Sequence, residues 1–221
     1  VVALVISPPR WPFILAGLLA IHGILTLLGL WPRSRGLGPN LDRIEDAPDG
    51  TVYLTFDDGP DPEVTPWVMD QLEAFGFRGT FFVIGEKVGT SPEIAREILA
   101  RGHAIGNHSH DHAVRFAMQS VKGFERELAH AQETIHEACG VIPRYFRAPF
   151  GFRSPLLEPA LCRVGLDLVS WTRRGYDTRA RSREIVLDRL LRHLSTGDIL
   201  LLHDGSSEGL PPACLLYTSD A

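Results

Sequence analysis

One stretch constrains the fold of this chain more than any other: Thr51-Val-Tyr-Leu-Thr-Phe-Asp57-Asp58-Gly59-Pro60. Thr51, Val52, Tyr53, Thr55 and Phe56 are β-branched or aromatic, which predicts a buried strand, and Gly59-Pro60 can only stop it. Asp57 and Asp58 therefore fall at a strand's C-terminal end, where parallel α/β folds place their chemistry. Successive side chains on a strand point to opposite faces, so the two acids are expected to do different work, one at a metal and one on a proton.

The rest of the chain alternates strand and helix patterns. Helices are expected over residues 63–75, from Pro92 to Gly102, over residues 124–138 with Phe124, Leu128, Ala131, Ile135 and Ala138 at helical spacing, and over residues 154–164 and 182–194. Strands are expected over residues 79–85, 103–106, around Tyr145 and Phe146, and over residues 166–171 and 198–202. Such alternation predicts a parallel sheet with right-handed crossovers, and its repetition suits a barrel better than an open sheet. A formal net charge of −5 gives no electrostatic reason to bind nucleic acid. No glycine-rich phosphate loop follows a strand, which disfavours nucleotides. The three cysteines show neither disulfide nor metal spacing. No protein partner is evident.

Residues 13–31 carry no charge, and a helix of that length at ~1.5 Å per residue approaches the ~30 Å hydrocarbon core of a bilayer. Trp11 and Trp31 flank it as interfacial aromatics, with Pro12 at its start and Pro32 at its end. No small-residue cleavage pattern follows, so residues 1–33 are expected to be a retained membrane anchor with the catalytic domain outside the cytoplasm. The rival readings are a signal sequence and a buried hairpin. Arg10 on one side and Arg33 and Arg35 on the other leave orientation undecided by charge. Residues 34–50 read as a polar linker and residues 51–213 as the catalytic domain. The final residues 214–221, Cys214 to Ala221, bear no relation to the preceding pattern and read as a translated sequencing adapter.

The chemistry-bearing segments each follow an expected strand: Asp57-Asp58, the loop from Asn107 to His112, Arg147 to Gly151, Asp177, and His203-Asp204. In a parallel barrel they share one rim. His108 and His112, four apart, are expected on one side of a helical turn and, with Asp58, would hold a divalent metal with open positions. Imidazole and carboxylate without thiolate suit zinc, cobalt or nickel. Asp57 is the candidate base and His203 the candidate acid. Arg147 is expected to pair with Asp57, and Asp177 to orient His203.

Taken together these segments resemble the ordered motifs of the polysaccharide deacetylase family, also called the NodB homology domain or carbohydrate esterase family 4. Thr55-Phe-Asp57-Asp58-Gly59-Pro60 is similar to its first motif, His108-Ser109-x-x-His112 to the second, Arg147-Ala-Pro149-Phe150-Gly151 to the third and Leu201-Leu-His203 to the fifth. The resemblance implies a distorted (β/α) barrel and metal-dependent removal of acetyl groups from amino-sugar polymers such as chitin-like chains or peptidoglycan. It implies Asp58, His108 and His112 as ligands, most readily for zinc, Asp57 as base, His203 as acid and Arg147 as the partner of Asp57. It adds the Phe150 backbone N–H as an oxyanion donor and Leu201 as a wall for the acetyl methyl. The fourth motif departs from the family's Asp-x-x-Asp-Trp, since Arg174-Gly-Tyr-Asp177-Thr178 keeps only the second Asp. The missing Trp is expected to remove an aromatic wall of the sugar groove. The resemblance also leads one to expect that the last elements of the barrel are absent. Two rival functions are deacylation of a lipid-linked amino sugar and glycan binding without activity.

Overall fold

The computed structural model describes residues 10–179 and 182–205. The tail at 214–221 and the domain boundary at 213 lie outside those residues. The chain opens with helix α1 (Trp11–Leu30), apolar along its length and exposed nearly throughout. The elements that follow are β1 (Tyr53–Asp57), α2 (Val64–Ala74), β2 (Gly79–Val83), α3 (Gly85–Thr90), α4 (Pro92–Ala100), β3 (Ala104–Asn107) and α5 (Val121–Cys139). Then come β4 (Tyr145–Phe146), α6 (Leu157–Val164), β5 (Asp167–Leu168), β6 (Arg173–Arg174), α7 (Arg183–Leu191) and β7 (Ile199–His203). Sequence reading misses α3 and β6, both too short to show a period. Helix ends follow local chemistry: the Ser120 hydroxyl accepts the Gly123 N–H at the start of α5, and Gly140 closes it at φ 76°.

The seven strands form one sheet in the order β5-β4-β3-β2-β1-β7-β6, and every pair is parallel. Among the described residues the barrel expectation is met as a curl with a gap, since β5 and β6 are its two ends. Residues 41–44 lie across that gap. The Leu41 N–H donates to Leu168 and the Ser170 N–H to Leu41, both at 2.9 Å, while the Ile44 N–H reaches Gly197 at 2.9 Å. Arg43 pairs with the buried Asp198 at 2.5 Å. The segment expected to be a free linker is thus bonded into the sheet in its middle. Leu41 and Ile44 are apolar and find a dry surface there.

Strand alternation sorts the core into two sides. Phe56, Phe81, Leu200 and Leu202 face the helices and pack with Val68, Met69, Leu72, Ile98, Ile135 and Val186. Phe82, Val169, Trp171, Ile199 and Leu201 fill the inside of the curl with Leu41, Ile44 and Tyr53. A third cluster, Phe116, Phe124, Leu128, Phe146 and Leu161 among it, joins α5 and α6 to β4. Phe56 is fully buried and stacks on Phe81 with centroids 5.0 Å apart. Phe56→Ala is expected to cost about 3–5 kcal/mol of stability, read as a fall in the denaturant midpoint without a change in cooperativity.

Candidate active site

The register sets the site. Asp57, the last residue of β1, lies beside His203, the last of β7, while β3 ends at Asn107 opposite Phe146 of β4. His108 and Arg147 are the next residues along β3 and β4. All of these strand ends lie at the C-terminal edge of one parallel sheet, and Asp57, Asp58, His108, His112, Phe150, Trp171, Leu201 and His203 line a single cavity of about 200 Å³.

Alternation predicts that the two acids diverge; in the structure both line the cavity. Asp58 lies beyond the strand with φ 74°, and this left-handed turn brings its carboxylate back beside that of Asp57. Their partners make them different. Asp57 accepts Arg147 Nη1 at 2.7 Å and is almost wholly buried. Asp58 Oδ1 sits 3.2 Å from Nε2 of both His108 and His112.

The His-x-x-x-His spacing brings the two rings together, 4.9 Å apart, but not through a helical turn. Ser109 and His112 have φ 66° and 50°, and the loop is held by side chains. The Ser109 N–H donates to Asn107 Oδ1 at 2.8 Å, and the His112 N–H donates to Ser109 Oγ at 3.1 Å. Glu127 on α5 accepts the N–H groups of His110 and Asp111 at 2.8 and 2.9 Å. The Arg147 carbonyl, 2.8 Å from His108 Nδ1, turns Nε2 toward Asp58. His110 stays out of this pair and stacks on His130 with centroids 3.5 Å apart.

These donors fit a divalent cation. One oxygen of Asp58 and one nitrogen of each histidine all lie within 4.8 Å of one another. Burial and the neighbouring His108 push the His112 imidazole down to about 4, so it is neutral and able to ligate at pH 7. Burial alone would raise Asp58, but the hydrogen bond and charge of His108 hold it far below the usual carboxylate range. Burial opposes the cationic form of His108 as well, yet Asp57 and Asp58 outweigh it and raise its pKa. That is the signature of a carboxylate cluster that seeks positive charge.

Arg147 is completely buried, so its pair with Asp57 is an interior one. It also donates to Thr55 Oγ1 at 2.8 Å and to the Ser170 carbonyl at 3.0 Å, with its guanidinium 4.0 Å from the Phe82 ring centroid. Asp177 grips His203 twice, accepting its backbone N–H and contacting Nδ1, each at 2.8 Å, which leaves Nε2 for the cavity. Burial works against the His203 cation, but Asp177 outweighs it and raises the pKa. Asp204 supports the turn from beneath: it accepts Thr65 Oγ1 at 2.6 Å, and burial lifts its carboxyl to about 7. A Cβ at Gly59 would fall 2.2 Å from that carboxylate.

Phe150, at φ 58°, and Leu201 both line the cavity. An aromatic wall is present despite the altered fourth motif, because Trp171 lines the cavity with Arg174 packed 5.4 Å over its ring. Sequence reasoning misses Trp171, Glu127, Thr55 and Thr65, which carry no local signal. Glu127, Thr55 and Thr65 act only through partners distant in the chain, and Trp171 only through its place in the folded cavity.

Comparison with known proteins agrees with this geometry. The polysaccharide deacetylase family matches residues 44–169. The chitooligosaccharide deacetylase of Azorhizobium caulinodans is 37% identical over 156 residues, covering 70% of this chain and 74% of that protein. The peptidoglycan-N-acetylglucosamine deacetylase PgdA of Listeria monocytogenes is 32% identical over 153 residues, 69% of this chain but only 32% of that longer protein. The solved structure of the peptidoglycan deacetylase PdaC from Bacillus subtilis superimposes with a TM-score of 0.68 at 28% identity, covering 76% of this chain and 82% of that one. The chain belongs to the polysaccharide deacetylase family and is, by that membership, a hydrolase.

Asp58→Asn, which keeps the shape but removes the charge between the two histidines, is expected to weaken zinc binding by at least about tenfold. Calorimetric titration of zinc into the apo-protein measures it, and unchanged affinity would exclude Asp58 as a ligand.

Proposed function

We propose that this chain is a membrane-anchored, metal-dependent deacetylase that releases acetate from N-acetylated amino sugars of a chitin- or peptidoglycan-like glycan. The observation that carries the reading is the convergence of two carboxylates and three imidazoles, from the ends of β1, β3 and β7, on one cavity. The activities of the relatives lie in the same class. Asp58, His108 and His112 would hold the ion, and this donor set suits zinc before cobalt or nickel. α1 is 20 residues long with mean hydropathy 2.3, which supports a bilayer crossing through residues 13–31, and in this reading the domain stands outside the cytoplasm. Residues 1–33 would then be the anchor and residues 51–213 the catalytic domain, with 34–50 contributing strand-like contacts to its scaffold.

When bound, the cation supplies Lewis-acid activation of the substrate carbonyl and of the attacking water. Asp57 takes the proton of that water, its carboxylate oriented by Arg147. The Phe150 N–H donates to the oxygen that gains charge as the carbonyl carbon becomes tetrahedral. His203, kept cationic by Asp177, gives its Nε2 proton to the sugar nitrogen as the C–N bond breaks, so acetate and a free amine leave. Leu201 and Trp171 close the apolar side of the cavity around the acetyl methyl.

Acetate release from acetylated chitooligosaccharide and peptidoglycan fragments is expected with zinc and is lost with a chelator; release that survives complete metal removal overturns the reading. Asp57→Asn is expected to lower kcat by about 10²- to 10⁴-fold while zinc content stays at wild type. Near wild-type turnover would remove Asp57 from the mechanism. Because His203 must be cationic to act as an acid, kcat falls as pH rises through its pKa. Asp177→Asn removes the charge that raises that pKa, so the alkaline limb is expected to move to lower pH by about one unit. A limb that stays in place assigns the acid elsewhere.

A further inference from the structure

α1 does not end in free solvent. Gly29, its penultimate residue, is the one buried residue of the helix, and a Cβ there would lie 2.2 Å from the Arg153 carbonyl oxygen. The Arg153 N–H donates to the Gly29 carbonyl at 3.1 Å, and its guanidinium donates to the Ser34 carbonyl. Asn40 Nδ2 secures the same corner, donating to the carbonyls of Pro32 at 2.8 Å and Ser34 at 3.1 Å. Pro32 packs so closely under Gly151 that a Cβ on the glycine would meet it at 2.9 Å. The helix end is therefore fastened to the turn Pro149–Gly151, whose Phe150 lines the catalytic cavity.

Length decides where this joint lies. Twenty residues at ~1.5 Å each span ~30 Å, no more than the hydrocarbon core, so no turn of α1 is left to lift Gly29 away from the membrane. The joint then brings residues 150–153 to headgroup level. What is exposed there is aromatic. Trp31 is 58% exposed, Phe150 and Phe152 are each 41% exposed, and the rings of Phe150 and Phe152 are 6.3 Å apart. Amphipathic and aromatic side chains concentrate at that depth of a bilayer.

We propose that Trp31, Phe150 and Phe152 seat the mouth of the catalytic cavity on the bilayer surface, and that the amino sugar it deacetylates is presented there by a lipid carrier. This rests on the anchor and the deacetylase chemistry proposed above. A soluble glycan must diffuse to a mouth that faces the membrane. A lipid-linked one is already confined to the same surface, which raises its effective concentration without any new contact.

The test uses the full chain with zinc in vesicles of phosphatidylcholine and phosphatidylglycerol. The probes are a polyprenyl-phosphate-linked N-acetylglucosamine in the same vesicles and soluble tetra-N-acetylchitotetraose. Gly29→Leu keeps the span apolar but cannot fit against Arg153. Both proteins are expected to float with the vesicles and to deacetylate the soluble probe alike, while Gly29→Leu loses about tenfold or more on the lipid-linked probe. A nitroxide on Phe152→Cys, with Cys139, Cys162 and Cys214 replaced by Ser, is expected to collide with oxygen rather than with an aqueous nickel chelate, and Gly29→Leu reverses that preference. A water-exposed label with equal rates of wild type and Gly29→Leu on the lipid-linked probe overturns the proposal. A chain that does not float overturns it together with the anchor, leaving the hydrolytic chemistry intact. A lipid-facing label with no acetate from either probe upholds the seat and rejects the deacetylase reading with its substrate.

Discussion

The buried pair between Arg147 and Asp57 is the interaction on which the rest of the site depends. Taking two charges out of water costs several kcal/mol per ion, and the cost is offset only when the donors and acceptors find partners in good geometry. Here one Arg147 nitrogen is shared between Asp57 and Thr55, another reaches Ser170, and the guanidinium lies on the face of Phe82. Three strand ends are tied together by one side chain, and its own carbonyl fixes the tautomer of His108. The proposed base and a proposed metal ligand are therefore positioned by the same residue.

Around that pair the site assigns different tasks to chemically identical groups. Asp57 faces a permanent cation, Asp58 two imidazoles, Asp177 the far nitrogen of His203, and Asp204 a threonine hydroxyl in a dry pocket. The histidines divide in the same way. Asp177 and the acid pair raise His203 and His108, while burial beside another imidazole lowers His112. Groups whose environments push them apart can act as acid, base and ligand within one small cavity at a single pH.

The polypeptide upstream of β1 is fastened to the same scaffold without lining the cavity. Residues 41–44 fill the open edge of the sheet, and the end of α1 is bonded to the loop that carries Phe150. A long apolar helix would ordinarily hang from its domain by a spacer. Here the spacer is bonded at both ends, so the orientation of the cavity relative to α1 is set by hydrogen bonds rather than by chain length.

The sequence by itself determined the alternation of strands and helices, the parallel sheet and the roster of acids, histidines and Arg147, because hydrophobic period and residue chemistry are local properties. It also showed that these residues follow strands, which in a parallel sheet puts them on one rim. Only the tertiary structure decided that Asp58 turns back beside Asp57, that His108 and His112 meet through a left-handed loop pinned by Glu127 rather than a helical turn, and that Trp171 supplies a wall its motif lacks. It also decided that the stretch between α1 and β1 is bonded to the sheet. Backbone turns at positive φ and hydrogen bonds across a hundred residues depend on partners brought together by folding, and no window of neighbouring residues contains them.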